Sequence, residues 1–288
     1  MLRLLVLVSS FVFFACGGNN ESRVSGEMQN KTMKTFMPEN DLWQEDGFMD
    51  NGMTEEKFNE IIESVRVVFE PIVKDLGGKL VIKGDFNDST VNAYADREDG
   101  NFNVTMFGGL ARRSEITEDG FAMVIAHEIS HHTGGWPFVQ DWASAEGMSD
   151  YGAFHAVAKL LWKDAGQTVS EVDPVAKKIC DENFKGDLNL CYRQMNAAYS
   201  LSNLLGQLGG KQVSFSTPDN TIVKRTRTSH PNAQCRLDTM VGAALCDVDW
   251  NYGVIPQNKA EATKQSCMYP IVDGKYDIRN RSRCWFKP

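Results

Sequence analysis

The sequence predicts an α+β fold, mainly helical with one small β-sheet, and three observations carry that expectation. Apolar residues recur at helical spacing over several long stretches, three short β-type runs cluster between Lys79 and Phe107, and all the cysteines but Cys16 lie from Cys180 onward. At 288 residues, with 42% hydrophobic and 24% charged residues, the chain has enough apolar material for one large core. A net charge of −8 argues against nucleic acid as a partner, because phosphate binding needs a basic surface. The short basic run from Lys224 to Arg227 reads as a solvated loop.

The first residues read as an export signal rather than part of the fold. Met1-Leu2-Arg3 supplies a positive start, and the apolar run Leu4 to Phe14 is too short to span a bilayer. Residues 1–15 are therefore expected to be a signal peptide. Ala15-Cys16 followed by Gly17-Gly18-Asn19-Asn20 resembles a bacterial lipoprotein signal, which implies that Cys16 is lipidated and anchors the chain to a membrane. Phe13 departs from the Leu usual at that position, and simple secretory cleavage is the alternative; either exports the protein. Gly18 points to the outer membrane and periplasm. Residues 16–50, polar and without period, are expected to be a flexible tether, with a single domain over 51–288. The chain has seven cysteines, so six remain beyond Cys16, an even number that suits three disulfides in an oxidising compartment. Pairing of neighbours is expected: Cys180 with Cys191, Cys235 with Cys246, and Cys267 with Cys284.

The elements follow in order. Thr54 reads as an N-cap with Glu55 and Glu56 in the first turn, opening a helix through Phe58, Ile61, Ile62, Val65, Val68 and Phe69. Pro71 is expected to kink it and Gly77-Gly78 to end it. Strands are expected at Lys79 to Lys83, Val91 to Ala95 and Phe102 to Phe107. A second helix starts near Thr117 and stops at Gly134-Gly135, ahead of Pro137. Further helices are expected from Ala145 to Asp164, Val172 to Phe184 and Leu188 to Leu208. The last 75 residues read as loop-rich and cross-linked.

The chemistry gathers on the second helix, in His127-Glu128-Ile129-Ser130-His131. Residues four apart share a helix face, so both imidazoles can reach one metal ion. Two neutral nitrogens and a carboxylate suit Zn²⁺ with a position left open, one ion per chain. Glu128 lies about 100° round the helix from His127, near the ion but free to take a proton. Glu146, at the start of the next helix, is the candidate third ligand. Asp150, one turn on, is placed to accept a hydrogen bond from the far nitrogen of a liganding histidine. His132 reads as packing or support for the site, His155 as a core or surface histidine, and Trp136, Trp142 and Trp162 as core before cleft.

This pattern resembles the gluzincins, zinc peptidases whose third ligand is a Glu on a separate helix, and most closely the HtpX and CAAX-prenyl-protease family. Asn92-Ala93-Tyr94-Ala95 is similar to the Asn-Ala-Phe-Ala edge strand of that family, Gly108-Gly109-Leu110 to its glycine-leucine stretch, and His230-Pro231 with Arg236 to its His-Pro-x-x-x-x-Arg motif. The likeness spans about Val91 to Leu237. It implies a zincin-like metallopeptidase domain whose edge strand precedes the metal helix, with His127, His131 and Glu146 as zinc ligands, Glu128 as general base and His230 stabilising the oxyanion. Asn92 and Ala93 would bind an extended substrate by backbone pairing. Arg236 would hold the His230 loop through a carboxylate or be solvated. Two features depart from the family: the connection from His131 to Glu146 is short, and no multi-pass segment is present. The Glu-x-x-Ser-Asp form is also similar to thermolysin-type enzymes.

The expected function is therefore hydrolysis of peptide bonds in envelope or extracellular proteins by an exported zinc metalloendopeptidase. Two alternatives stand beside it: an inactive zinc-fold lipoprotein serving as a binding or chaperone module, and a hydrolase of cell-wall peptide cross-links.

Overall fold

A computed structural model describes residues 33–44, 50–164, 168–268 and 275–288. The signal peptide, Cys16 and most of the expected tether fall outside the described residues. Within them, an α+β fold forms in which one small sheet precedes and flanks a helical core.

The sheet contains β1 (Lys34–Thr35), β2 (Lys79–Asp85), β3 (Ala93–Glu98) and β4 (Asn101–Phe107), in the order β1-β3-β4-β2. β3 and β4 form an antiparallel hairpin, and β2 runs parallel to β4. The turn between β3 and β4 is Asp99-Gly100, both at positive φ, as a tight hairpin turn requires. β1 adds antiparallel to the outer side of β3, Lys34 opposite Ala95 and Thr35 opposite Tyr94. The strand expected at the sheet's edge thus carries a further strand from the chain's own N-terminal part. This corrects the tether expectation for residues 33–44. Phe36 and Met37 are fully buried and Leu42 nearly so, and that apolar burial fixes the segment as strand and 3-10 turn (Leu42–Gln44).

α1 (Glu55–Asp75) begins where expected: Thr54 accepts from the Lys57 amide and caps it. The helix runs through Pro71 and lays Phe58, Ile61, Ile62, Val65, Phe69 and Val73 against the core. A short helix α2 (Gly108–Ala111) follows β4 directly. A Cβ on Gly108 would collide with the Phe86 carbonyl, and one on Gly109 with the Ser89 carbonyl, so the chain passes here only without side chains.

α3 (Glu118–Thr133), capped by Thr117, is the central helix, buried on every face from Gly120 to His132. The expected third helix starts at Glu146 and is interrupted: α4 (Glu146–Gly152), one π-helical turn (Ala153–Val157) and α5 (Ala158–Leu161). α6 (Pro174–Asn183) and α7 (Leu188–Gly209) agree with their expected spans to within two residues.

The C-terminal part departs from expectation. It contains α8 (Ala233–Leu245), capped by Asn232 and packed on α4 and α7, and the short α9 (Lys259–Thr263). Every residue of α8 from Thr239 to Leu245 is buried and only Ala233, Gln234 and Asp238 are partly exposed, so its polar face is too short to give it a clear helical period. Three disulfides form: Cys180–Cys191, Cys235–Cys284 and Cys246–Cys267. The first agrees with neighbour pairing; Cys235–Cys246 and Cys267–Cys284 do not occur. Cys235 and Cys246 sit near opposite ends of the rigid helix α8, too far apart to join, so each takes a partner from the returning chain.

Candidate metal centre

α3 brings His127 and His131 to one face, and α4 brings Glu146 against them. His127 Nε2 lies 3.5 Å and His131 Nε2 3.6 Å from Glu146 Oε2. All three side chains are fully buried. The position and orientation of each are fixed from behind. His127 Nδ1 donates to Asp150 Oδ1 at 2.9 Å, and Asp150 accepts a bidentate pair of bonds from Arg236, both at 2.7 Å. His131 Nδ1 donates to the Ser144 carbonyl at 2.9 Å and lies 2.8 Å from Ser149 Oγ. Both imidazoles therefore point Nε2 at a common centre with its lone pair free.

The donor set fits a dication. His127 Nε2, His131 Nε2 and both Glu146 oxygens are buried without a hydrogen-bond partner, and one ligand atom from each residue lies within 4.8 Å of the others. Buried polar atoms left unpaired are costly, and one from each of these three residues gathered together marks a candidate cation site. Burial lowers His131 to about 3, leaving it neutral as a ligand nitrogen must be, whereas at His127 burial is outweighed by Asp150 and Glu146, which raise it to about 9, so a cation bound there displaces its proton. Burial works against ionisation of Glu146, yet His131, His127 and His230 hold its carboxyl below the usual range.

Glu128 is fully buried beside this cluster, and both its oxygens also lack a hydrogen-bond partner. Burial pushes its carboxyl up to about 8. His230 comes from the loop before α8. Its Nε2 sits 3.4 Å from Glu146 Oε2 and donates to the Thr35 carbonyl at 2.8 Å. Asn92 and Ala93 line the start of β3 and are occupied by residues 36 and 37: the Phe36 amide donates to the Ala93 carbonyl, and the Asn92 side chain exchanges two hydrogen bonds with Met37.

His127, Glu128, His131, Glu146, Asp150 and His230 thus lie together, Asn92 and Ala93 lie beside residues 36 and 37, and Cys16 lies outside the described residues. Three contributors are not legible in the sequence. Lys34 Nζ stands 3.4 Å from Glu146 Oε1, and Ser144 and Ser149 seat His131. Arg236, open between loop support and solvent on sequence, is a fully buried partner of Asp150. His132 packs between the Phe102 and Trp142 rings and ties α3 to the sheet. His155 is a core residue, its Nε2 bonded to the Gln265 carbonyl.

A fully buried pair of histidines four apart on one helix, completed by a glutamate from the next, defines a site of the zincin metallopeptidase type. Residues 55–243 match the model of peptidase family M48, about two thirds of the chain, and the protein belongs to that family. Comparison with curated proteins and with solved structures finds no match. Among the described residues no helix is long and apolar enough to cross a membrane.

Proposed function

We propose that the protein is a zinc-dependent metalloendopeptidase with one Zn²⁺ per chain, held by His127, His131 and Glu146, and that it is an HtpX-like member of its family. The observation that carries this reading is Glu128: a buried carboxylate with both oxygens unpaired, one position from a ligand histidine. A structural zinc site is closed by four protein ligands and has no use for such a group. Zinc bound here supplies Lewis acidity toward a carbonyl oxygen and lowers the pKa of water. Glu128 takes the water's proton and returns it to the leaving amine. His230 Nε2–H, which already donates to a backbone carbonyl beside the cluster, is the donor for charge developing on the substrate oxygen. Asp150 and Arg236 hold His127 in the tautomer that leaves Nε2 free.

The N-terminal sequence supports an exported chain anchored through a lipid on Cys16, facing the periplasm from the outer membrane, with residues of the cell envelope's proteins as substrates. Loss of membrane association on Cys16→Ala, measured by fractionation, is the expected outcome; release of wild type into the soluble fraction supports plain secretion instead.

The test of the catalytic reading compares wild type with Glu128→Gln. Wild type is expected to carry about one zinc per chain and to cleave an unfolded protein such as casein. Glu128→Gln is expected to keep its zinc and to lose activity by about two to four orders of magnitude, the contribution of a general base. Full activity in that variant overturns the assignment of Glu128; zinc-free protein that resists reconstitution overturns the reading as a whole.

A further inference from the structure

We infer that the segment Lys34–Met37 is seated in the cleft as an extended peptide substrate is, with its Thr35–Phe36 bond presented to the metal cluster. The site accordingly takes peptides with a large apolar residue directly after the scissile bond, and such a peptide must displace this strand to enter. The inference rests on the peptidase reading and deepens it.

The backbone register is the first argument. β1 lies antiparallel on the outer side of β3, and the pairing continues beyond it. The Phe36 amide donates to the Ala93 carbonyl at 3.1 Å. Asn92 accepts from the Met37 amide at 3.0 Å and donates to the Met37 carbonyl at 3.1 Å. Asn92 and Ala93 are the groups through which a sheet edge would add an incoming strand, and Phe36 and Met37 of the chain itself use them.

The carbonyl oxygens are the second. The Thr35 carbonyl accepts from His230 Nε2, which itself stands 3.4 Å from a carboxylate oxygen of the metal cluster. The Phe36 carbonyl accepts from Arg236 Nη1 at 2.6 Å. His230 stands at Glu146 Oε2, the oxygen that both ligand Nε2 atoms face, whereas Arg236 reaches His127 only on its Nδ1 side, so the Thr35–Phe36 bond is the one that faces the cluster.

The side chains are the third. Alternate residues of a strand project to the same side. Lys34 reaches Glu146 and Phe36 is fully exposed to none of the solvent, at 0% accessibility. The Phe36 ring meets the His127 imidazole edge-on at 5.3 Å and lies under the Arg236 guanidinium at 4.7 Å. A closed seat with an aromatic edge and a cation over one face fits phenylalanine and large aliphatic side chains, and small ones leave it unfilled. Beyond Met37 the chain continues through Pro38 along a cavity of about 640 Å³ also bordered by Leu205, Val213, His230 and Arg236, which leaves room for the next residues of a bound peptide.

The test uses the full zinc-loaded chain and has a binding arm and a cleavage arm. In the first, a fluorescent peptide of residues 33–38 is titrated by anisotropy into Glu128→Gln protein and into Glu128→Gln carrying Phe36→Ala, which loosens the resident strand. The peptide is expected to bind the second protein about tenfold or more tightly than the first, and about tenfold or more tightly than a peptide with alanine at the Phe36 position. In the second, wild type digests a peptide library, with cuts expected ahead of Phe, Leu and Met. Should Phe36→Ala fail to fold, Lys34→Ala replaces it in the binding arm, and the library arm stands on wild type alone. Peptide binding indifferent to both phenylalanines, or cleavage with no apolar preference after the bond, overturns this inference while zinc content and casein cleavage leave the peptidase reading intact. Absence of zinc and of cleavage in every form overturns the peptidase reading instead.

Discussion

Asp150 is fully buried and touches two groups that need it, the His127 ring and the Arg236 guanidinium. Removing the charge from one side of such a pair strands the other in a medium that solvates it poorly. Asp150→Asn is therefore expected to destabilise the zinc-free protein by about 3 kcal/mol. It is also expected to weaken zinc binding by about 10- to 100-fold, since the His127 tautomer loses its anchor. Thermal melting of apo protein and zinc competition against a chelator measure the two effects; unchanged zinc affinity would show that His127 is oriented without Asp150. The His127, Glu128 and His131 spacing was legible because one helix turn relates all three, and Glu146 and Asp150 because they repeat that spacing on the next helix. Lys34, Ser144 and Ser149 carry no such pattern. Their place at the cluster follows from how a strand and a loop are laid over the helix ends.

At the level of elements, α8 illustrates what burial does to both pattern and charge. Asp238 on this helix accepts from the Asp219 amide and from Gln234, yet burial raises its carboxyl to about 6. Its folded pKa stands above its unfolded value, so the folded chain binds the extra proton. The associated stability is present at low pH and is lost as pH rises from about 4 through about 6. Asp238→Asn should gain stability over wild type by about 2 kcal/mol on going from pH 4 to pH 8. Parallel melts across that range check it, and curves that stay parallel at all pH values would rule it out. Strands β2 to β4 and helices α1, α3, α6 and α7 were legible because each has a cap, a breaker or a one-sided apolar face. α8 was not, because a helix so largely buried has too short a polar face. The π turn within the expected third helix leaves no trace in composition either.

For the whole molecule, the Cys235–Cys284 bridge closes a span of 49 residues and ties the C-terminal run to α8. Trp285 in that run packs directly on Gly147, next to Glu146, so the bridge supports the metal side of α4. Replacing both cysteines with serine should cost about 4 kcal/mol through the freed unfolded chain and lower the melting temperature; an unchanged melt would mean that packing alone holds the C-terminal run. By itself the sequence determined what short-range spacing can encode: the α+β class, the starts of α1, α3, α4, α6 and α7, the His-Glu-x-x-His face with its Glu146 and Asp150 complement, and an even set of cysteines. Only the tertiary structure decided the partners across long stretches of chain. Those are the two nested disulfides, the Arg236 ion pair, and the seating of residues 34–37 on β3, where Thr35 meets His230 across 195 positions and Phe36 meets Arg236 across 200. The physical reason is that local periodicity fixes which face of an element is apolar. Which surfaces then meet is settled by packing the faces together, and no single segment carries that information.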